Sequence, residues 1–246
     1  MPTLPIPSCR PQKLNRHPDQ PELAHPFDVL HNKAELVFAS PKGGVAPLDP
    51  ASVEAAKDDP ISVAFKKEHT ATWEKTHKLS DLVSRVSEFD AVFYPGGHGP
   101  MFDLVNDANS IRIASDLWKA GKPVTAVCHG PAALLNVNGP DGASILKGKK
   151  VTGFSDSEED QAGFTPLMPF SLEKQLNEKS GGGYGKAAEN WGEKVFDEGQ
   201  LIVGQNPASA KGVGEALAKA LSEFRFPPST LTQGETLLTG TSRDLK

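Results

Sequence analysis

Cysteine is scarce in this chain: its 246 residues include two, Cys9 and Cys128. Two thiols exclude a disulfide scaffold and make a reduced setting the expected one, cytoplasmic and also nuclear. Long apolar runs are missing too. No stretch approaches bilayer-spanning length, and the first residues lack the apolar segment of a secretory signal, so no membrane partner is expected. Basic clusters are absent as well: 26 Lys and Arg stand against 31 Asp and Glu, for a net charge of -5. That balance gives no footprint for nucleic acid. No tandem repeat occurs. The run Ser180-Gly181-Gly182-Gly183-Tyr184-Gly185 lacks the Gly-Lys-Ser/Thr ending and the preceding strand of a phosphate cradle, and reads as a polar loop. No nicotinamide or flavin fingerprint stands out, and no cluster supplies three ligands with zinc-like local spacing. Neither a cofactor nor a metal is expected.

Hydrophobic residues make up 37% of the chain, enough for one substantial core. Short apolar stretches read as strands at Ala34 to Ala39, Asp90 to Tyr94, Val124 to Val127, Lys150 to Phe154 and Gln200 to Gly204. Helical spacing recurs at Leu79 to Ser87, Ile111 to Ala120 and Val213 to Phe224. Alternating strands and helices, with strands apolar throughout, indicate an α/β fold with a mostly parallel sheet. The loops at the strand C-termini are then the expected active-site edge. Residues 1–20 read as an irregular arm, 21–224 as the α/β domain, and 225–246 as a flexible tail containing Pro227-Pro228. Within the domain, residues 45–78 form an insertion with Pro47, Pro50 and Pro60, part of it expected as a lid.

The run Pro123-Val124-Thr125-Ala126-Val127-Cys128-His129-Gly130-Pro131 ends a strand at a cysteine and starts a helix almost at once. A sharp strand-to-helix turn projects a thiol from the sheet edge, close to helix N–H groups that favour its thiolate. The alternative is a buried core cysteine beside a helix-capping histidine. Gly96, Gly97 and Gly130 are placed to offer backbone donors to a substrate oxygen, or to serve tight turns that need small residues. His98 is a candidate pocket residue. His25 either packs against the same region or lies on a helix surface. Glu22 precedes an apolar helix turn, where an acidic residue is favourable in any case. Glu159 follows Asp156 and Glu158 in an acidic loop that also reads as a solvated cluster.

These segments, in this order, resemble the DJ-1/PfpI superfamily, particularly its Hsp31-like glutathione-independent glyoxalase branch. The matching residues are Glu22 to Phe27, Phe38 to Pro50, Tyr94 to Phe102, Ala126 to Pro131, Val151 to Glu159 and Gly204 to Ala210. The resemblance implies a flavodoxin-like three-layer sandwich, like class I glutamine amidotransferases, with Cys128 on its nucleophile elbow. It further implies a homodimer, stress protection by removal of a small dicarbonyl substrate, and unfolded protein clients. Catalysis would fall to Cys128, with Glu22 beside its sulfur as general acid and base, and Glu159 orienting His129. Other activities in the superfamily make a holdase-type chaperone or a cysteine-dependent peptidase or amidase the alternatives. Where relatives begin with an apolar strand, this chain has Pro2, Pro5 and Pro7, which oppose a central strand. That strand is expected to be lost.

Overall fold

Every residue of Val92 to Tyr94, Val124 to Val127 and Leu201 to Gly204 is buried, as strands covered on both faces must be. Successive side chains alternate between two cores: Val92 and Tyr94 join one, Ala91 and Phe93 the other, and Leu201 and Val203 face away from Ile202. The computed structural model describes residues 3–7, 19–46 and 48–225. Its first half holds β1 (Thr3–Pro7), α1 (Gln20–Leu30), β2 (Glu35–Ser40), α2 (Pro50–Ala55), α3 (Pro60–Glu68), α4 (Ala71–Glu74), β3 (His77–Lys78), α5 (Leu79–Leu82) and β4 (Val92–Tyr94). The second half holds α6 (Ala108–Lys119), β5 (Val124–Val127), α7 (Asp156–Ala162), α8 (Leu172–Ser180), β6 (Val195–Glu198), β7 (Leu201–Gly204) and α9 (Ala210–Arg225).

Hydrogen bonds link β1, β2 and β3 in one parallel set, and β4, β5, β7 and β6 in another, in which only β6 runs antiparallel. β1 lies alongside β4. One face is covered by α1 and α9 through Leu23, Leu30, Val213 and Leu217; α5, α6 and α8 cover the other through Leu82, Ile113, Leu117 and Leu176. This is the expected flavodoxin-like three-layer sandwich with a mostly parallel sheet. Among the described residues no helix is long and apolar enough to cross a membrane.

Two sequence expectations need correction, and one strand is an addition. The arm at residues 1–20 is not irregular throughout, because Thr3–Pro7 pairs in parallel with β2. Pro5 and Pro7 alternate with Leu4 and Ile6, so only one side of the strand loses its N–H donors. The hydrogen-bonded ladder breaks between β1 and β4, as a proline-bearing side requires. Lys150 to Phe154 is not a ladder strand; Val151 makes an isolated parallel bridge to Tyr184. β6, unforeseen, is a half-exposed antiparallel edge.

The insertion at 45–78 folds into α2, α3 and α4. Asp49-Pro50 and Asp59-Pro60 each start a helix, with the Asp carboxylate accepting from the first-turn N–H groups and Pro at the first helical position. α9 runs on to Arg225, and the expected tail beyond it lies outside the described residues, as does Cys9.

Gly130 ties the elbow to β4. A Cβ at that position would sit 2.2 Å from the Tyr94 carbonyl oxygen, a backbone atom that cannot swing aside. We expect Gly130→Ala to cost about 1–3 kcal/mol in chemical denaturation, the usual penalty of overpacking. An unchanged midpoint would refute this contact.

Candidate active site

β5 delivers Cys128 at φ 60, a left-handed conformation unusual for a side chain-bearing residue. Both of its backbone groups are pinned: its N–H donates to the Gly204 carbonyl at 3.0 Å, and its carbonyl accepts from Phe154 N–H at 2.8 Å. The strained turn is thereby held from β7 on one side and from the Val151 to Phe154 segment on the other. Immediately after the elbow the chain forms a 3₁₀ turn, Gly130–Leu134, not the α-helix N-terminus anticipated as a thiolate stabiliser. Burial, followed by the Glu22 charge, pushes the Cys128 thiol well above the ordinary range. The expectation of a helix-stabilised thiolate is corrected on both counts.

Two titratable side chains flank the sulfur. His129 Nδ1 lies 3.3 Å from Cys128 Sγ, and His129 Nε2 donates to Glu159 Oε2 at 2.6 Å. With Nε2 carrying the proton, Nδ1 is left as an acceptor toward the thiol. Burial holds His129 below the usual histidine range, with Glu159 opposing it. On the other side stands Glu22, three residues into α1 and fully buried. Its oxygens meet no partner at full hydrogen-bond geometry, although the thiol and the N–H groups of Gly96 and Gly97 face them. Burial, reinforced by Asp19, pushes the Glu22 carboxyl well above the carboxylate range. Such a group keeps its proton in the resting site.

Glu159 also takes a hydrogen bond from His98 Nε2, at 3.0 Å through its other oxygen. Burial would raise this carboxyl, but the bonds from His129 and His98 outweigh it and hold Glu159 near about 2. His98, His129 and Glu159 bring ligand-type atoms within 4.8 Å of one another, a set able to hold a metal ion. No local spacing in the sequence marks this set, because the three residues come from three distant segments.

A cavity of about 290 Å³ opens above the sulfur, with Cys128, Gly97, His98 and His129 among its lining and Phe154 and Trp191 on an apolar wall. Of the three glycines, Gly97 lines it at φ 73. Gly96 instead separates Glu22 from Cys128, where a Cβ would come 2.2 Å from Glu22 Oε2 and 2.7 Å from the cysteine Cβ. Gly130 packs under Tyr94, so neither Gly96 nor Gly130 lines the pocket as anticipated. His25 is also outside it: its Nε2 pairs with Asp59 Oδ2 at 2.8 Å, tying α1 to the start of α3. Asp19 and the α2 wall of the cavity were missed by the sequence reading.

Glu158 was missed as well, having been grouped with solvated acids. It is fully buried, and its Oε2 accepts from Ser155 N–H, Ser155 Oγ and Gln205 Nε2, while Oε1 accepts from Trp191 N–H and Asn206 Nδ2. Ser155 and Glu158 cap α7 reciprocally, and the Ser-x-x-Glu spacing was the legible signal. This network fixes the turn that aims Glu159.

Glu158→Ala should therefore destabilise the fold by about 3 kcal/mol, since several buried donors lose their acceptor. It should also shift tryptophan emission as Trp191 is released; a change within about 0.5 kcal/mol of the parent would contradict this role. Glu159 predicts a pH effect of defined sign. An unfolded glutamate titrates near about 4.3, so the lowered folded value gives stability that is complete above that pH. As pH falls from there toward about 2, that contribution is lost. Glu159→Gln should flatten this limb of an acid denaturation curve, and an unaltered limb would contradict the assignment.

Glyoxalase 3 of Candida albicans is 33% identical over 207 residues, which cover 81% of this chain and 87% of that protein. Glutathione-independent glyoxalase hsp3102 of Schizosaccharomyces pombe is 29% identical, covering 81% and 87%. Among solved structures, Francisella tularensis Rapid Encystment Protein 24 KDa superposes with a TM-score of 0.80 at 32% identity, covering 90% of this chain and 99% of that one. The DJ-1/PfpI family model matches residues 17–220, a span that takes in Glu22, the Cys128 elbow and Glu159 alike. On that match and this geometry, the chain belongs to the DJ-1/PfpI family.

Proposed function

We propose that the protein is a glutathione-independent glyoxalase, a glyoxalase III or D-lactate dehydratase, that converts methylglyoxal to D-lactate. The observation that carries this reading is a buried carboxyl facing the Cys128 sulfur, with His129 and Glu159 on its other side. Acyl hydrolysis needs a nucleophile and a base; moving a proton between adjacent carbons needs a further acid–base group held dry at the reacting atoms. Glu22 supplies it.

In this mechanism His129 Nδ1 takes the thiol proton as Cys128 Sγ bonds to the aldehyde carbon. Glu22 gives its proton to the aldehyde oxygen, which completes a hemithioacetal. The Glu22 carboxylate then removes the hydrogen from that same carbon, and the histidinium protonates the neighbouring ketone oxygen, giving an enediol. Glu22 returns its proton to the second carbon while His129 takes the hydroxyl proton of the first, so a thioester of lactate forms. Water cleaves the thioester: its oxygen joins the acyl carbon and one of its protons restores the thiol, while the histidinium proton returns to Glu22 and the last water proton leaves with lactic acid, which ionises to lactate in solvent. The sum is methylglyoxal plus water to lactic acid, with no external redox carrier. Family resemblance supports the D product, a homodimer and a role in dicarbonyl protection.

Purified protein should form D-lactate from methylglyoxal without glutathione. Cys128→Ala should leave no detectable turnover. Glu22→Gln should retain the fold and lose a factor of about 10²–10⁴ in kcat, the usual worth of a positioned acid–base group. Folded wild-type protein that makes no lactate would overturn the proposal, and near-normal turnover by Glu22→Gln would remove that residue from it.

A further inference from the structure

Asp19 occupies the N-cap position of α1, yet its side chain makes no capping hydrogen bond. Aspartate is among the preferred residues at such a position because its carboxylate can accept from first-turn N–H groups. Asp49 and Asp59 do this at the starts of α2 and α3. Asp19 is instead among the residues that line the cavity over Cys128. Its Oδ1 is buried and has no hydrogen-bond partner among the described residues. An unpaired buried polar atom is costly, which points to a partner that arrives with a ligand.

Asp19, at the N-cap of α1, precedes Glu22 by three residues and lies close enough for the two carboxyls to interact. An α-oxoaldehyde presents two adjacent carbonyl oxygens. Glu22 lies fully buried beside the thiol, where the aldehyde carbon is attacked, whereas Asp19 borders the open cavity. We propose that Asp19 is a further substrate-contacting residue, its carboxyl hydrogen-bonding the ketone oxygen of an α-oxoaldehyde held on Cys128. The proposal rests on the glyoxalase reading and adds a determinant of substrate class: the site prefers a second carbonyl next to the aldehyde.

The groups facing Asp19 are Glu22 on its own helix, Asp49 at the start of α2, His98 after β4, and Cys128 at the elbow. Burial, helped by Asp49 and opposed by His98, raises its carboxyl to about 7. It therefore donates on the acid side of neutrality and loses that donor as pH rises through this value.

The test is protection of Cys128 from iodoacetamide in a Cys9→Ser background, which leaves Cys128 as the one thiol. Any aldehyde protects by adding the sulfur to its carbonyl carbon, the thiol proton ending on the new hydroxyl. Methylglyoxal is compared with propionaldehyde, which lacks the ketone. In Asp19→Ala the half-protecting methylglyoxal concentration should rise about tenfold, the worth of one hydrogen bond. For propionaldehyde it should stay within about twofold by the same scale. Asp19→Asn keeps a donor and should remain close to wild type, without the loss of methylglyoxal affinity expected of wild type as pH rises past about 7. Equal effects of Asp19→Ala on both aldehydes, or none on either, would overturn the proposal. Protection with this pattern but no lactate would overturn the glyoxalase reading and leave Asp19 as a binding residue. Failure of methylglyoxal to protect wild-type Cys128 would overturn both.

Discussion

A carboxyl and a thiol share one dry space behind Gly96, and most of the structure around them depends on that closeness. Placed together out of water, the Glu22 carboxyl and Cys128 thiol resist simultaneous ionisation: burial and Asp19 raise the carboxyl, and burial and Glu22 raise the thiol. At least one proton stays with the pair over the working range. That proton is what a carbonyl needs once sulfur attacks it. The approach is possible because residue 96 has no side chain: a Cβ there would collide with the carboxylate, the cysteine Cβ and the His129 N–H at once.

Holding such a pair takes structure from both sides of the sheet. The strained φ of Cys128 survives because β7 and Phe154 bind its peptide groups. Its imidazole partner is aimed by Glu159, itself fixed by the first turn of α7, where Glu158 gathers five donors from Ser155, Trp191, Gln205 and Asn206. The carboxylates thus divide by environment. Glu158 and Glu159, supplied with donors, sit below the ordinary range; Glu22 and Asp19, buried without enough of them, sit above it.

The alternation of apolar strands and helical spacing made the sandwich legible, and Val124 to Val127 ending at Cys128 located the elbow. Local pattern failed where long-range pairing decided. Pro5 and Pro7 suggested that the first strand was gone, but a strand with one neighbour-facing side intact still pairs through Leu4 and Ile6. Lys150 to Phe154 has strand-like composition, yet its backbone is spent on the Cys128 carbonyl and on the loop at Tyr184. At the site, Glu159 and His129 were legible by motif. Glu158 was hidden among acids, though its capping spacing was there to read. Asp19 carried no signal, because only the folded cavity distinguishes a capping aspartate from one that lines a pocket. The thiol's state was likewise inaccessible, since the anticipated helix N-terminus is a 3₁₀ turn.

The central claim, that Glu22 and Cys128 share a proton, is tested most directly by titrating the Cys128 thiolate through its ultraviolet absorbance. The Cys9→Ser background isolates the signal, and burial pushes both tyrosines, Tyr94 and Tyr184, above their ordinary range and out of the way. With Glu22 present, the thiol should lose its last proton only well above the ordinary cysteine range. With Glu22→Gln, the negative neighbour is gone and the thiolate should form at distinctly lower pH. Superimposable titrations of the two proteins would contradict the shared proton, and with it the account of how this site works.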